Sequence, residues 1–161
     1  MKKTLLFCLL SFFLLADNIV GFWKSYDEKT NKPQLVVAVY PYQGMFYGKI
    51  IGIYDAKGQI AETLDHPKGR AKGLEGHPFY CGLDFVYNLK RSGSSFKGKI
   101  VDPEKGNVYN AEVWRKNQDL IVRGKLLFFG RNLTWYPFKD EEFNKTFPKP
   151  DTTLFKPKIP D

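Results

Sequence analysis

Cysteine is almost missing from this chain: two among 161 residues, Cys8 and Cys81. Cys8 lies in an apolar run at the N-terminus, so a disulfide framework inside the folded domain is excluded. Cys81 is then either a buried, inert thiol or a partner for a cysteine of another chain. Histidine is as scarce, with His66 and His77 each followed by proline. No Gly-x-Ser-x-Gly elbow, phosphate loop or dinucleotide fingerprint is present. No placed general base emerges, and the reading is of a protein that is not an enzyme, with no catalytic residues and no cofactor. Asp65, His66, His77 and Cys81 are zinc-compatible types, but their spacing matches no compact zinc pattern, and no metal site is expected. Apolar runs long enough to cross a membrane are lacking too. The longest, Leu5 to Leu15, is broken by Ser11 and falls short of the roughly 20 residues a spanning helix needs.

That short run has a different meaning. Lys2 and Lys3 precede it, and Ala16 closes it before the polar pair Asp17-Asn18. This is the layout of a secretory signal peptide. Residues 1–16 are expected to be a cleaved leader, and the protein to be exported, periplasmic or extracellular. Residues 17–138 then form one domain, enough chain for a core without staples. The formal charge is +8 for the whole sequence. Its lysines are spread along the strands rather than gathered in a run, which reads as a solubilising exterior with some attraction for anions.

Aromatic and β-branched stretches alternate with turn chemistry. The pattern predicts eight strands: 19–26, 35–42, 45–54, 82–91, 95–101, 107–116, 120–127 and 131–138. Most are joined by hairpin-sized breaks, which points to an antiparallel up-and-down meander closed into a barrel so that no edge is left exposed. Two segments fall outside the pattern. Ala56 to Cys81 is a long loop insertion. Residues 139–161 carry Pro148, Pro150, Pro157 and Pro160 and predict an extended surface tail or disorder.

Gly48-Lys49-Ile50, Gly98-Lys99-Ile100 and Gly124-Lys125-Leu126 repeat one device in three strands. Alternation turns each glycine inward and each lysine outward. An inward glycine permits strong coiling and makes room for a large neighbour, either an internal aromatic or a ligand. The inferred inward residues include Phe46, Tyr54, Phe85, Tyr87, Tyr109 and Trp135, which are the candidate ligand contacts. Such an interior suits a small apolar molecule or a filled core equally well. Faces in 107–116 stay open, since Asn110 and Glu112 could point inward instead. With the aromatics inside, no stacking platform for nucleic acid is expected.

Gly21-Phe22-Trp23, at the start of the first strand, resembles the Gly-x-Trp fingerprint of lipocalins and related calycin barrels. The chain as a whole resembles a more specific group, an uncharacterised bacterial exported family, domain of unknown function number twenty-one forty-seven. The matching residues are Gly21-x-Trp23, Met45-Phe-Tyr-Gly-Lys-Ile50, Gly82-Leu83, Phe96-x-Gly-Lys-Ile-x-Asp-Pro103, Gly106-x-x-Tyr109-x-Ala111, Leu120-x-Val-Arg-Gly124 and Gly130-Arg131 followed by Trp135. The resemblance runs from about Ile19 to Pro137. It implies export and a lipocalin-like barrel, and no activity. It also implies an arginine lying over Trp23 at the closed end, with Arg131 the first choice and Arg123 the second.

The expectation is therefore an exported binding protein that carries or senses a small hydrophobic or amphipathic ligand, an anionic one included, inside an eight-stranded barrel. The alternative is an envelope-associated interaction module with a filled core, using the insertion or the tail to meet an envelope or protein partner.

Overall fold

The computed structural model describes residues 18–126 and 129–160. The expected leader lies outside the described residues. The described residues form nine strands: β1 (Gly21–Tyr26), β2 (Pro33–Tyr42), β3 (Met45–Tyr54), β4 (Ile60–Thr63), β5 (Asp84–Ser92), β6 (Ser95–Val101), β7 (Val108–Lys116), β8 (Asp119–Leu126) and β9 (Phe129–Pro137). All nine join in one antiparallel sheet, and all but β4 close into a ring, through β2–β3 on one side and β1–β9 on the other. This is the expected closed eight-stranded barrel. The break expected at Phe129-Gly130 is instead the start of β9. No helix among the described residues is long and apolar enough to cross a membrane.

The long insertion has structure of its own. β4 pairs with β3 at Gly52 to Tyr54, above the stretch Phe46 to Lys49 where β3 pairs with β5. Ala71 and Leu74 are buried in the main core. Gly73 lies against the β6–β7 turn and donates its N–H to Pro103 O at 3.0 Å. A Cβ at Gly73 would come within 2.4 Å of Gly106 N. This contact holds the insertion against the end of the barrel that carries the β1–β2, β6–β7 and β8–β9 connections. We call that end the mouth.

Two hydrophobic clusters share the wall between them. The larger lies inside and includes Trp23, Val37, Ile50, Leu89, Val113 and Val122. The smaller lies outside. Val36, Ala38 and Ile51 point away from the barrel axis and are buried by Phe138 and Phe147 of the C-terminal segment. Phe143 packs edge-on to Phe22 and Phe138, with ring centroids 4.9 and 4.8 Å away. A Cβ at Gly52 would sit 2.9 Å from Phe147 Cζ, so that glycine lets the ring lie on β3. Residues 139–160 therefore run along the outer wall as a packed strap.

The strap ends on a buried ion pair. Lys49 and Asp84 face outward from β3 and β5, with side chains 7% and 0% exposed. Lys49 Nζ lies 2.6 Å from Asp84 Oδ2 and donates to Gly82 O at 2.9 Å. Asp84 accepts from the Tyr40 hydroxyl at 2.8 Å and from the Lys158 N–H at 2.7 Å. The Asp84 N–H in turn donates to Lys158 O at 3.2 Å. Burial, reinforced by the neighbouring Asp84 charge, keeps the Tyr40 hydroxyl protonated far above the ordinary tyrosine range. A buried charge is tolerated only when it is paired and hydrogen-bonded, and the strap supplies part of that satisfaction. Asp84→Asn strands the Lys49 charge and should cost about 3–5 kcal/mol in urea unfolding. The same variant should expose residues 139–160 to limited proteolysis.

Candidate functional site

Alternation sets which side chains the barrel can offer a ligand, and bulges reset it. β3 carries one: Val36 pairs with Gly52 and Val37 with Ile50, so Ile51 is the extra residue. A one-residue slip moves every later side chain to the other face. Tyr54, expected inside, is for this reason on the outer wall, packed against the strap cluster. β5 is irregular opposite both β3 and β6. Asn88 takes φ 53° there. A Cβ on Gly98 would come within 2.5 Å of Tyr87 O, so this inward glycine makes room for backbone and not for a ligand.

The remaining expected contacts divide by height. Phe46 sits near the end opposite the mouth, edge-on to Phe96 at 5.1 Å. Tyr87 is buried in the main core. Phe85 and Trp135, with ring centroids 5.8 Å apart, and the half-buried Tyr109 reach the open part of the interior. Asn110 and Glu112 belong to the outer wall, where they meet Lys99 and Lys125.

Trp23 closes the far end. It is 3% exposed, and its Nε1–H donates to Ile19 O at 3.0 Å. The arginine over its ring is Arg115, with the guanidinium carbon 4.9 Å from the centroid. Neither Arg131 nor Arg123 takes that place. Trp23 pairs with Pro137 on β9, and Arg131 lies about 20 Å further along that strand at about 3.3 Å per residue. Arg123 instead stacks over Trp114 on the outer wall. Arg115, at the end of β7 beside the β7–β8 turn, comes across the barrel floor.

Arg131 is at the mouth. Its pairing with Gly124 puts it on the inward face, in line with Leu133 and Trp135. There it forms an ion pair with Glu28 of the β1–β2 turn. Two openings meet at Arg131 and Leu133. One, about 540 Å³, is mostly apolar and is bounded by Ile100, Tyr109, Gly124 and Leu133. A Cβ at Gly124 would touch only Ile100 Cγ2, at 3.4 Å, so of the three inward glycines this one opens free space. The other opening, about 400 Å³, lies along the seam between β1 and β9. The seam is paired at Trp23–Pro137 and Lys24–Tyr136, and the Phe138 N–H donates to Phe22 O at 2.9 Å on the far side of them. Above Lys24, Ser25 and Glu28 face Arg131, Leu133 and Trp135 across this polar lobe. Ser25 is 7% exposed. Among the described residues its Oγ is the buried side-chain polar atom with no hydrogen-bond partner. An unsatisfied buried hydroxyl costs about 1–3 kcal/mol. Both openings fall within the size range of small-molecule sites.

Residues 21–136 match the profile of the family described as uncharacterized protein conserved in bacteria, DUF2147. The chain belongs to that family. No curated protein is similar enough to match. Among solved structures, this DUF2147 chain is similar to HP1028 of Helicobacter pylori, described as belonging to the lipocalin family. The identity is 22%, the TM-score is 0.60, and the match covers 78% of this chain and 86% of that one. At that identity the likeness shows the fold alone, a lipocalin-like barrel.

Among the described residues no three His, Cys, Asp or Glu side chains gather where they could hold a metal ion. Cys81 is buried, and burial pushes its thiol up to about 12. At pH 8 it is protonated, so a thiol-specific reagent should label it only after the protein is unfolded. The two arginines separate cleanly. Arg115→Ala should lower stability by about 0.5–2 kcal/mol through the lost contact with Trp23. Arg131→Ala, which removes only an exposed ion pair, should change it by less than about 1 kcal/mol. Thermal unfolding of the two variants tests the assignment.

Proposed function

We propose that this protein is an exported, non-enzymatic binding protein that holds a small amphipathic molecule in the mouth of its barrel. The observation that carries this reading is the bipartite opening around Arg131 and Leu133. An apolar lobe and a polar lobe meet at one inward-facing cation. Ligand sites are typically apolar with a few placed polar groups, and this mouth has that composition. The lower barrel is filled by side chains, so the ligand sits in the mouth and does not pass through the barrel. Export rests on the leader pattern of residues 1–16, and the absence of catalysis on the lack of a placed nucleophile and base. The lipocalin-like fold supports binding as the general role.

The apolar lobe can be tested by filling it. Gly124→Leu projects a side chain into the space beside Ile100 and keeps ordinary strand backbone. Replacing a strand glycine also favours folding slightly. Wild-type protein should enhance the fluorescence of the neutral dye N-phenyl-1-naphthylamine. Gly124→Leu should lose most of that enhancement with a melting temperature equal to or above wild type. Equal dye binding by both proteins would place the ligand elsewhere.

A further inference from the structure

The geometry points to the outer wall of β5 to β8 as a docking face for a linear acidic polysaccharide. Register gathers there cations that the sequence spreads over three strands. One row across the sheet runs Lys90, Lys97, Glu112, Arg123 and Asn132, each paired with the next. The row beside it runs Lys99, Asn110 and Lys125. Glu112 is the one acid in these two rows, and it is already taken by Lys125 and by the Ser95 hydroxyl. Lys90 and Lys97 are exposed, stand directly opposite each other, and make no hydrogen bond or ion pair among the described residues. Like charges directly opposite on neighbouring strands repel, and the fold leaves this repulsion uncompensated. An anion laid between the two relieves it. The face points away from the barrel interior, and the inference does not depend on the binding role of the mouth.

Spacing and composition select the occupant. Arg123 lies two strands from Lys97, and Lys125 two strands from Lys99, so each is about 10 Å away at the usual strand spacing. Two parallel rows of cations at an even interval suit a chain that carries its own anions at an even interval. The exposed large apolar side chains among the described residues, Val108, Tyr136, Leu154 and Ile159, all stand outside both rows. A lasting hold on a lipid surface takes a second, apolar signal beside the charges. A protein interface takes a centre depleted of charge. A single-stranded nucleic acid takes exposed rings to stack on, whereas Trp114, the next outward residue on β7, lies under Arg123. A hydrophilic polyanion requires none of these. Asn110 and Asn132 accept from Lys99 and Arg123 through their side-chain carbonyl oxygens, at 2.7 and 2.5 Å, which leaves their amide N–H groups for sugar hydroxyls.

Surface plasmon resonance on immobilised polygalacturonate tests this, with neutral dextran and phosphatidylglycerol vesicles as the comparison surfaces. The protein should bind polygalacturonate and not dextran. Its binding should weaken at least tenfold from about 10 mM to about 150 mM salt, as the Debye length falls from about 30 Å to about 8 Å. Lys90→Gln, Lys97→Gln and Lys99→Gln combined should weaken binding at least tenfold. The melting temperature of that variant should equal the wild type or exceed it, since the opposed lysines are gone. Lys57→Gln, Lys72→Gln and Lys145→Gln combined, which removes the same charge from exposed positions off this wall, should weaken binding less than threefold. An equal loss in the two triple variants would overturn the face and leave net charge alone. Tighter binding to the vesicles than to polygalacturonate, or no binding to polygalacturonate, would overturn the polysaccharide as its partner.

Discussion

Closure of the sheet by β1 against β9 is the constraint from which the rest of the molecule follows. Eight strands enclose an interior just wide enough for side chains to fill or for one small ligand. The seam is zipped at two register pairs, Trp23–Pro137 and Lys24–Tyr136, and by the hydrogen bond from Phe138 N–H to Phe22 O. Below them the floor is sealed by Trp23 under Arg115. Above them β1 and β9 leave a polar lobe between them, and Gly124 leaves an apolar one beside it. Fill at one end and space at the other result from the same wall, populated by large residues low down and by glycine and arginine at the top.

The wall is also a core on its other side. β2 and β3 bury residues on both faces, because the strap of Phe138, Phe143 and Phe147 covers them from outside. A half-exposed strand could not carry the run Val36 to Tyr40 without alternation, and two-sided burial explains it. The strap's far end is fixed by polar contacts to the Asp84 carboxylate and main chain, while Lys49 balances that charge. The three repeated Gly-Lys tripeptides thus serve different ends. Lys49 joins a buried pair, while Lys99 and Lys125 meet Asn110 and Glu112 on the outer wall. Gly98 admits backbone, Gly48 packs against Val86 and Val37, and Gly124 opens a cavity.

The eight barrel strands, their antiparallel order and barrel closure were legible from period-two patterning and turn chemistry, since both are local, whereas β4 in the insertion was not expected. Tyr54 was placed on the wrong face, because a bulge at Ile51 is a register property that depends on the partner strand. The arginine over Trp23 was misassigned for a related reason: which strand end crosses the barrel floor is set by closure and not by sequence distance. The strap was signalled by the non-alternating run in β2, and the ion pair by single charges, Lys49 and Asp84, inside apolar strands. Ser25 was visible as a polar residue two positions from Trp23 on the inward face. Its missing partner could be recognised only with β9 in place.

The central claim is that the mouth of this barrel holds a small amphipathic molecule. The most direct measurement is native mass spectrometry of the gently purified protein, followed by solvent extraction of what it carries. The account predicts a near-stoichiometric added mass that dissociates on unfolding and extracts as a small amphipathic molecule. A clean apo mass that stays unchanged when the protein is incubated with an extract of its own envelope lipids would contradict it.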